Sequence, residues 1–277
     1  MKKLLTLSLA LILLFTVTAC SSTQSAQTAS PSPSASPTAT PAEKEPVTLT
    51  IAAAASLEKT FTDKLIPAFE AKYDYITVEG TYDSSGKLQT QIEAGLAADV
   101  FMSAATKQMT ALTDEKLVDT DSVVQLLQNK IVLIEPASKS SGITSFQDVP
   151  NAKDIAIGDP DSVPAGQYAK EVFTYLGIWD KVSAKASLGT NVTQVLNQVG
   201  EGSADVGVVY ATDAASTDTV KVIAEAPEGS LAKPVIYPVG IIAVSQNKDA
   251  AQLFVDFLKS DEAMAIFEAA GFTSNLK

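Results

Sequence analysis

Five residues at the ends of predicted strands and the starts of predicted helices could donate hydrogen bonds to a ligand. They offer side-chain hydroxyls or backbone N–H groups and are Ser56, Ser85, Ala165, Val192 and Tyr210. Each also has a structural explanation, because Ser is a favoured helix N-cap and a tyrosine at the end of a strand usually belongs to the core. What the five share is the ability to donate without carrying a formal charge.

A cluster of such donors suits a small oxyanion. A helix N-terminus carries about half a positive charge and presents unpaired N–H groups, so several converging helix starts could offset a dianion without a cationic side chain. A backbone N–H can only donate, and the pocket therefore favours a fully deprotonated oxyanion over one that still carries a proton. The residues thus predict a cleft that binds a small tetrahedral anion.

The composition excludes several other functions. The chain has 277 residues, a formal charge of −12 and a pI near 4.5. This acidity argues against a nucleic-acid surface, because phosphates are neutralised by a basic face. Histidine is absent, and with it the commonest general base and metal ligand. The single cysteine, Cys20, excludes intrachain disulfides, cysteine-based zinc sites and iron–sulfur clusters.

The elements that must position these donors alternate between strand and helix. Hydrophobic periodicity predicts strands at 49–54, 76–80, 99–103, 130–134, 154–158, 204–210 and 239–245. It predicts a helix that begins at Ser56 as N-cap and is interrupted by Pro67, and further helices at 87–94, 106–116, 165–176, 192–201, 249–259 and 262–270. The alternation indicates an α/β fold with two lobes, each a mostly parallel sheet flanked by helices. Ligands of such sheets bind beyond the carboxyl ends of the strands.

The N-terminus has the features of an export signal. Lys2 and Lys3 precede an uncharged apolar run at 4–19, which is short for a membrane span and typical of a signal peptide. The run ends in Val-Thr-Ala-Cys, which resembles a bacterial lipobox and implies cleavage before Cys20 and lipidation of that residue. A plain secretory signal or an uncleaved anchor is the alternative. Residues 20–46, rich in Ser, Thr, Ala and Pro, predict a disordered tether. We expect an extracytoplasmic protein held at the membrane by a lipid anchor.

Four segments carry a resemblance to a known family. They are 53–57 (Ala-Ala-Ala-Ser-Leu), 84–104, 159–170 (with Val-Pro-Ala-Gly) and 207–214. In this order they resemble the molybdate-binding proteins of ABC importers, and the resemblance runs from about residue 48 to the C-terminus. It implies a type II periplasmic-binding-protein fold whose lobes close over molybdate or tungstate. It also implies a monomer without cofactor or catalytic activity that delivers its ligand to an ABC transporter permease.

The resemblance assigns roles to the five donors. It implies that the hydroxyls of Ser56, Ser85 and Tyr210 and the backbone N–H groups of Ala165 and Val192 hold the oxyanion, which carries the metal. It also implies two crossings of the chain between the lobes. The expected lobes are 47–127 with 240–277, and 128–239, and hinge bending between them would report occupancy to the permease.

This chain departs from the family pattern at three places. Asp83 stands where the family usually has a small neutral residue, and its carboxylate would oppose an anion unless a cation such as Lys87 held it. Leu96-Ala97 replaces the usual Ala-Pro, and Pro67 interrupts the first helix. The last two changes affect local geometry more than the chemistry of the pocket.

Other functions stay open at this point. Another tetrahedral oxyanion such as sulfate has the same charge as molybdate, so only its smaller size could exclude it. A ferric site would need clustered tyrosines or a histidine. A serine hydrolase with Ser56 or Ser85 as nucleophile would need a base, and neither residue lies in a Gly-x-Ser-x-Gly motif. A surface adhesion lipoprotein would bind no small molecule.

Overall fold

The computed structural model describes residues 44–276. The predicted signal peptide at 1–19, the lipidated Cys20 and most of the tether at 20–46 lie outside the described residues. Residues 44–46, at the end of the predicted tether, are exposed and have no regular secondary structure. None of the helices in the described part of the chain is both long and apolar enough to cross a membrane.

The strands of the described residues form two sheets. The first has six strands in the order β11-β4-β10-β3-β1-β2, and the second has five in the order β7-β6-β8-β5-β9. The strands are β1 (Val47–Ala54), β2 (Ile76–Asp83), β3 (Val100–Met102), β4 (Val124–Asn129), β5 (Ile131–Pro136), β6 (Ile155–Gly158), β7 (Ala186–Gly189), β8 (Val206–Tyr210), β9 (Val220–Glu225), β10 (Val235–Ile241) and β11 (Thr273–Ser274). Each sheet with its helices makes one lobe.

Helices connect most of these strands. They are α1 (Glu58–Thr60), α2 (Ile66–Lys72), α3 (Ser85–Glu93), α4 (Thr106–Asp114), α5 (Pro164–Tyr175), α6 (Trp179–Ser183), α7 (Val192–Gly200), α8 (Ala211–Ala215), α9 (Lys248–Leu258) and α10 (Asp261–Ala269). Short 3-10 turns lie at Ala55–Leu57, Thr120–Ser122 and Phe146–Asn151. The predicted two-lobed α/β fold is confirmed.

Both sheets are mixed, although most of their strands run in the same direction. β10 and β11 run against the other strands of the first sheet, and β5 runs against the other strands of the second. The chain enters the second sheet through β5 and returns to the first through β10. No helix precedes either strand directly, so neither connection is the right-handed helical crossover that keeps neighbouring strands parallel.

The chain therefore passes between the sheets twice. It leaves the first sheet at Asn129, where β4 ends, and enters the second at Ile131, where β5 begins. It returns through residues 226–234, between the end of β9 and the start of β10. The first passage is a single residue, Lys130, and the second is a loop.

The first helix shows how apolar spacing and Pro67 act together. Leu57, Phe61, Leu65 and Phe69 are all buried, as their four-residue spacing predicts. The segment Phe61–Leu65 is a π-helix directly before α2, which begins at Ile66 with Pro67 in its first turn. Proline lacks an N–H and cannot donate to the residue four positions earlier. The predicted interruption is thus a change of helix type rather than a break.

Two predicted positions are wrong. Ser56 does not cap a helix, because it lies inside the 3-10 turn and Ala54 occupies the N-cap position without a side-chain hydrogen bond. The strand expected at 239–245 is Val235–Ile241, and it contains Pro238. A register shift between Tyr237 and Pro238 in the pairing with β4 accommodates the missing proline N–H.

Candidate functional site

All five predicted donors line one cavity between the lobes. Its volume is about 10 Å³, and residues from β1, α3, α5, α7 and β8 meet there. The cavity lies at the carboxyl ends of β1 and β8, as expected for ligands of α/β sheets. The lining residues are Ala54, Ala55, Ser56, Ser84, Ser85, Ala104, Val163, Pro164, Ala165, Val192 and Tyr210.

Ser56 reaches the cavity from the turn that follows β1. The 3-10 turn Ala55–Leu57 begins directly after the strand, so the Ser56 side chain stands at the end of the sheet. Its Oγ lies 2.9 Å from the hydroxyl oxygen of Tyr237. No lysine or acidic side chain among the described residues makes a hydrogen bond to this oxygen.

Ser85 is the first residue of α3 and is fully buried. Ser84 caps the helix, because its hydroxyl accepts a hydrogen bond of 3.4 Å from the Lys87 N–H. The Ser85 Oγ accepts a hydrogen bond of 3.0 Å from the backbone N–H of Ala104. Since that bond uses a lone pair, the hydroxyl proton of Ser85 is left to donate to a ligand in the cavity.

Ala165 and Val192 contribute backbone N–H groups from the first turns of α5 and α7. N–H groups in a first helical turn have no acceptor within their own helix. Ala165 is the second residue of α5, after Pro164, which has no N–H. Val192 is the first residue of α7, and the N-cap Asn191 accepts from the Gln194 N–H at 2.9 Å. Both residues are buried.

Tyr210 is the last residue of β8 and is 1% exposed. Its hydroxyl donates to the carbonyl oxygen of Ala104 at 3.3 Å, which is long for such a bond. Burial raises the pKa of the Tyr210 phenol well above its ordinary value, so the group stays protonated at neutral pH. A dianion is a stronger hydrogen-bond acceptor than a carbonyl and could accept the Tyr210 hydrogen bond in place of Ala104.

The cavity presents hydrogen-bond donors without carrying a formal charge. None of the described residues that line it is a lysine, an arginine or an acidic residue. Asp83 is paired with Lys87 at 3.3 Å and accepts from the Ser84 N–H at 2.7 Å. The cation that the sequence analysis required for Asp83 is therefore present. In the described part of the chain, no three His, Cys, Asp or Glu residues gather where they could hold a metal ion.

The lobes are in contact around the cavity. The Gly86 N–H donates to the Ser162 carbonyl oxygen at 3.0 Å, and the Asn191 amide donates to Asp83 at 3.2 Å. The Tyr210 hydroxyl also reaches across, since Ala104 belongs to the other lobe. The described conformation is thus a closed one.

A larger open groove of about 890 Å³ shares Ala55 and Ser56 with the cavity. Its charged lining residues have both signs and are Glu58, Lys59, Asp63, Lys64, Asp213 and Glu268. A surface of mixed charge gives no preference for a dianion. The small cavity therefore fits the predicted chemistry better than the larger groove.

Sequence reasoning missed the groups that orient the two serine hydroxyls. Tyr237 and Ala104 contact the hydroxyls of Ser56 and Ser85; Tyr237 belongs to none of the four family segments, and Ala104 is only the last residue of segment 84–104. Tyr237 lies in a buried strand, and Ala104 follows β3. The pairing of these residues with the serines depends on contacts across 181 and 19 positions of sequence, and no local pattern shows it.

The sequence of residues 49–273 matches the family described as bacterial extracellular solute-binding protein. The chain belongs to this family. As a solute-binding protein it has curated relatives that it matches over most of their length. It is 39% identical over 221 residues to YvgL of Bacillus subtilis (strain 168), provisionally named an ABC transporter substrate-binding lipoprotein, covering 80% of this chain and 85% of the relative.

Two further relatives have names that state a ligand. The solute-binding protein is 37% identical over 226 residues to the molybdate-binding protein ModA of Escherichia coli (strain K12), covering 79% of this chain and 86% of that protein. Its fold also matches the structure of the periplasmic molybdate-binding protein of Azotobacter vinelandii. The TM-score is 0.70 at 26% identity, covering 81% of this chain and 98% of that one.

Proposed function

We propose that this solute-binding protein captures molybdate or tungstate in the cavity between its lobes and delivers it to an ABC importer. The observation that carries the proposal is the convergence of Ser56, Ser85, Ala165, Val192 and Tyr210 on one buried cavity without a cationic side chain. A tetrahedral oxyanion offers four oxygens, all of them acceptors, and matches such a set of donors. The oxyanion is the cargo of the protein and not a resident cofactor.

The selectivity would come from size and from proton content. Sulfate, molybdate and tungstate have the same charge and shape, but sulfate is smaller and would leave some donors out of reach. A hydrogen bond left unmade in a closed site costs about 1–3 kcal/mol. A protonated oxyanion would also direct its own O–H group at the donors of the cavity, where it would find no acceptor. Molybdate and tungstate are nearly equal in size, and the cavity has no feature that separates them.

The named relatives support this ligand. The proteins of Escherichia coli and Azotobacter vinelandii are both named as molybdate-binding, and this chain covers most of the length of each. Their names favour molybdate over sulfate as the first ligand to test. They also favour a transport protein over the serine hydrolase, for which Ser56 and Ser85 lack a hydrogen-bonded base among the described residues.

The setting that we propose is the outer face of the cell membrane. The lipobox-like sequence before Cys20 and the word lipoprotein in the name of the Bacillus subtilis relative support a lipid anchor. Several acyl chains at one terminus would hold a monomeric soluble body to the membrane, which a single chain does only marginally. The permease would then sense hinge bending between the two lobes, which Lys130 and residues 226–234 connect.

A competition panel tests the ligand. The purified protein without its signal peptide is titrated calorimetrically with molybdate, tungstate, sulfate, phosphate and chromate. We expect tight binding of molybdate and tungstate and much weaker binding of the other three. Sulfate binding as tight as molybdate binding would contradict the proposal, and so would turnover of activated esters by the same preparation.

A further inference from the structure

Behind Ser56 lies a row of polar side chains that do not line the cavity. The hydroxyl of Tyr237 is 2.9 Å from Ser56 Oγ, and the Asn129 amide nitrogen is 3.3 Å from the same Tyr237 oxygen. The Asn129 nitrogen also donates to Thr212 Oγ1 at 2.9 Å. Tyr237 is 0% exposed, so water does not compete for its hydroxyl.

The orientation of the Asn129 amide follows from the backbone. The backbone N–H of Lys130 donates to Asn129 Oδ1 at 2.8 Å. This bond identifies Oδ1 as the acceptor, and the NH₂ group must then face Tyr237 and Thr212. The amide has two N–H donors, and the two hydroxyl oxygens use both of them.

The direction of the next bond follows from the amide. The Asn129 nitrogen can only donate, so of the two described groups that are bonded to the buried Tyr237 hydroxyl, only Ser56 Oγ, at 2.9 Å, can accept its proton. Ser56 then accepts on its inner side. Its own proton has to point away from Tyr237, towards the cavity that Ser56 lines.

We propose that Tyr237, oriented by Asn129, is a positioning residue that fixes the Ser56 hydroxyl as a donor to the bound oxyanion and thereby excludes protonated oxyanions. This inference rests on the proposed function. Without Tyr237, the Ser56 oxygen could accept a proton from a ligand such as hydrogen phosphate. With Tyr237 in place, the Ser56 proton points at the ligand, so the ligand meets a donor at this position.

Packing makes Tyr237→Phe a mild change. The Tyr237 ring lies edge-on to Tyr210 and Phe272, with centroids 5.5 and 5.3 Å away, and phenylalanine keeps both contacts. Burial also raises the pKa of the Tyr237 phenol well above its ordinary value, so the wild-type group stays protonated over the pH range of any titration. The variant therefore removes a neutral donor and little else.

A double-mutant cycle tests the proposal. Molybdate and phosphate affinities are measured for the wild type, Ser56→Ala, Tyr237→Phe and the double variant, with Tyr73→Phe as a control tyrosine outside the cavity lining. We expect Tyr237→Phe to weaken molybdate binding about fivefold or more alone and less than about twofold in the Ser56→Ala background, because Tyr237 acts through Ser56. We also expect it to raise the affinity for phosphate relative to molybdate, which loss of structure alone would not do.

A second variant keeps the inference testable if Tyr237→Phe fails to fold. Asn129→Ala keeps the Tyr237 phenol but removes the amide that orients it. It should therefore also raise the affinity for phosphate relative to the affinity for molybdate. An unchanged ratio in both variants would overturn the inference, as would equal losses of molybdate affinity with and without Ser56. A wild-type protein that binds no molybdate at all would instead overturn the proposed function, and this inference with it.

Discussion

Ser85 illustrates how a neutral side chain becomes a donor of fixed direction. Its oxygen accepts from the Ala104 N–H, and its full burial leaves no water as an alternative acceptor. Free rotation of the hydroxyl would cost binding energy when a ligand arrives, and this contact has already restricted it. In the proposed site, the anion would be held without a lysine or an arginine.

Removing single donors should weaken binding measurably. We expect Ser56→Ala, Ser85→Ala and Tyr210→Phe each to weaken molybdate binding by about 1–3 kcal/mol, since each leaves one ligand oxygen unpaired in a buried site. Calorimetric titration measures the change. Ser187→Ala, at an exposed strand residue, is the matched control. Wild-type affinity in any of the three variants would remove that residue from the site.

Asp213 should give the stability of the protein a pH dependence. The carboxyl is buried and accepts from the Tyr210 N–H at 3.0 Å, and burial raises its pKa from 3.8 to about 7. A raised folded-state pKa means that the folded protein binds the proton more tightly than the unfolded chain. The resulting stabilisation is complete below about pH 4, declines above it, and is lost as the pH rises through about 7.

Asp213→Asn tests this dependence. Asparagine can still accept the Tyr210 N–H but does not ionise. We expect the melting temperature of the wild type to fall between pH 5 and pH 7 relative to that of the variant, and the difference between the two to level off above pH 7. Parallel curves across this range would show that Asp213 does not titrate there.

The starts of α3 and α5 face each other across the cleft, and glycine permits their close approach. Gly86 in the first turn of α3 donates to Ser162, just before α5. A Cβ on Gly86 would overlap the Ser162 carbonyl oxygen. Gly166, in the first turn of α5, lies against Gly158 of its own lobe, where a Cβ would overlap the backbone in the same way.

Alanine at Gly86 should affect ligand binding, whereas alanine at Gly166 should affect stability. We expect Gly86→Ala to weaken molybdate binding by about 1–3 kcal/mol while leaving the melting temperature of the ligand-free protein nearly unchanged, because only closure brings Gly86 against Ser162. Gly166→Ala should lower that melting temperature, because its clash lies within one lobe. Calorimetry and a melting scan on both variants give the comparison. Tight binding by Gly86→Ala would mean that closure does not need this contact.

At the scale of the whole molecule, ligand binding and lobe closure should be one process. The candidate donors come from both lobes, with Ser56 and Ser85 in one and Ala165, Val192 and Tyr210 in the other. Only a closed arrangement lets all of them reach the same small ion. Lys130 and the 226–234 loop are the segments that must bend, since they join the sheets.

Molybdate should therefore stabilise and compact the protein. At a free concentration of one hundred times the dissociation constant, we expect about 2.7 kcal/mol of stabilisation, seen as a higher melting temperature. Small-angle scattering should show a smaller radius of gyration on binding. Sulfate at the same concentration is the control and should do neither. A melting temperature that molybdate does not move at any concentration would contradict ligand capture.

Much of the fold follows from local patterns. The period of apolar residues identifies the helices at 87–94, 165–176 and 192–201 within a few residues, because each buries one face against a sheet. β4 and β9 are not predicted, since both lie next to a crossing and bury few of their residues in succession. The antiparallel direction of β5 and β10 depends on those crossings and has no local signal.

The sequence by itself determined the types of donor and their places where strands end and turns or helices begin, because capping residues, proline and glycine act over a few positions. It also determined that the donors carry no formal charge. Only the tertiary structure decided that the five share one cavity, that Lys87 holds Asp83, and that Tyr237 and Ala104 fix the direction of two hydroxyl protons. These facts depend on residues far apart in the chain. Hydrogen-bond direction is a property of the assembled network and not of any segment.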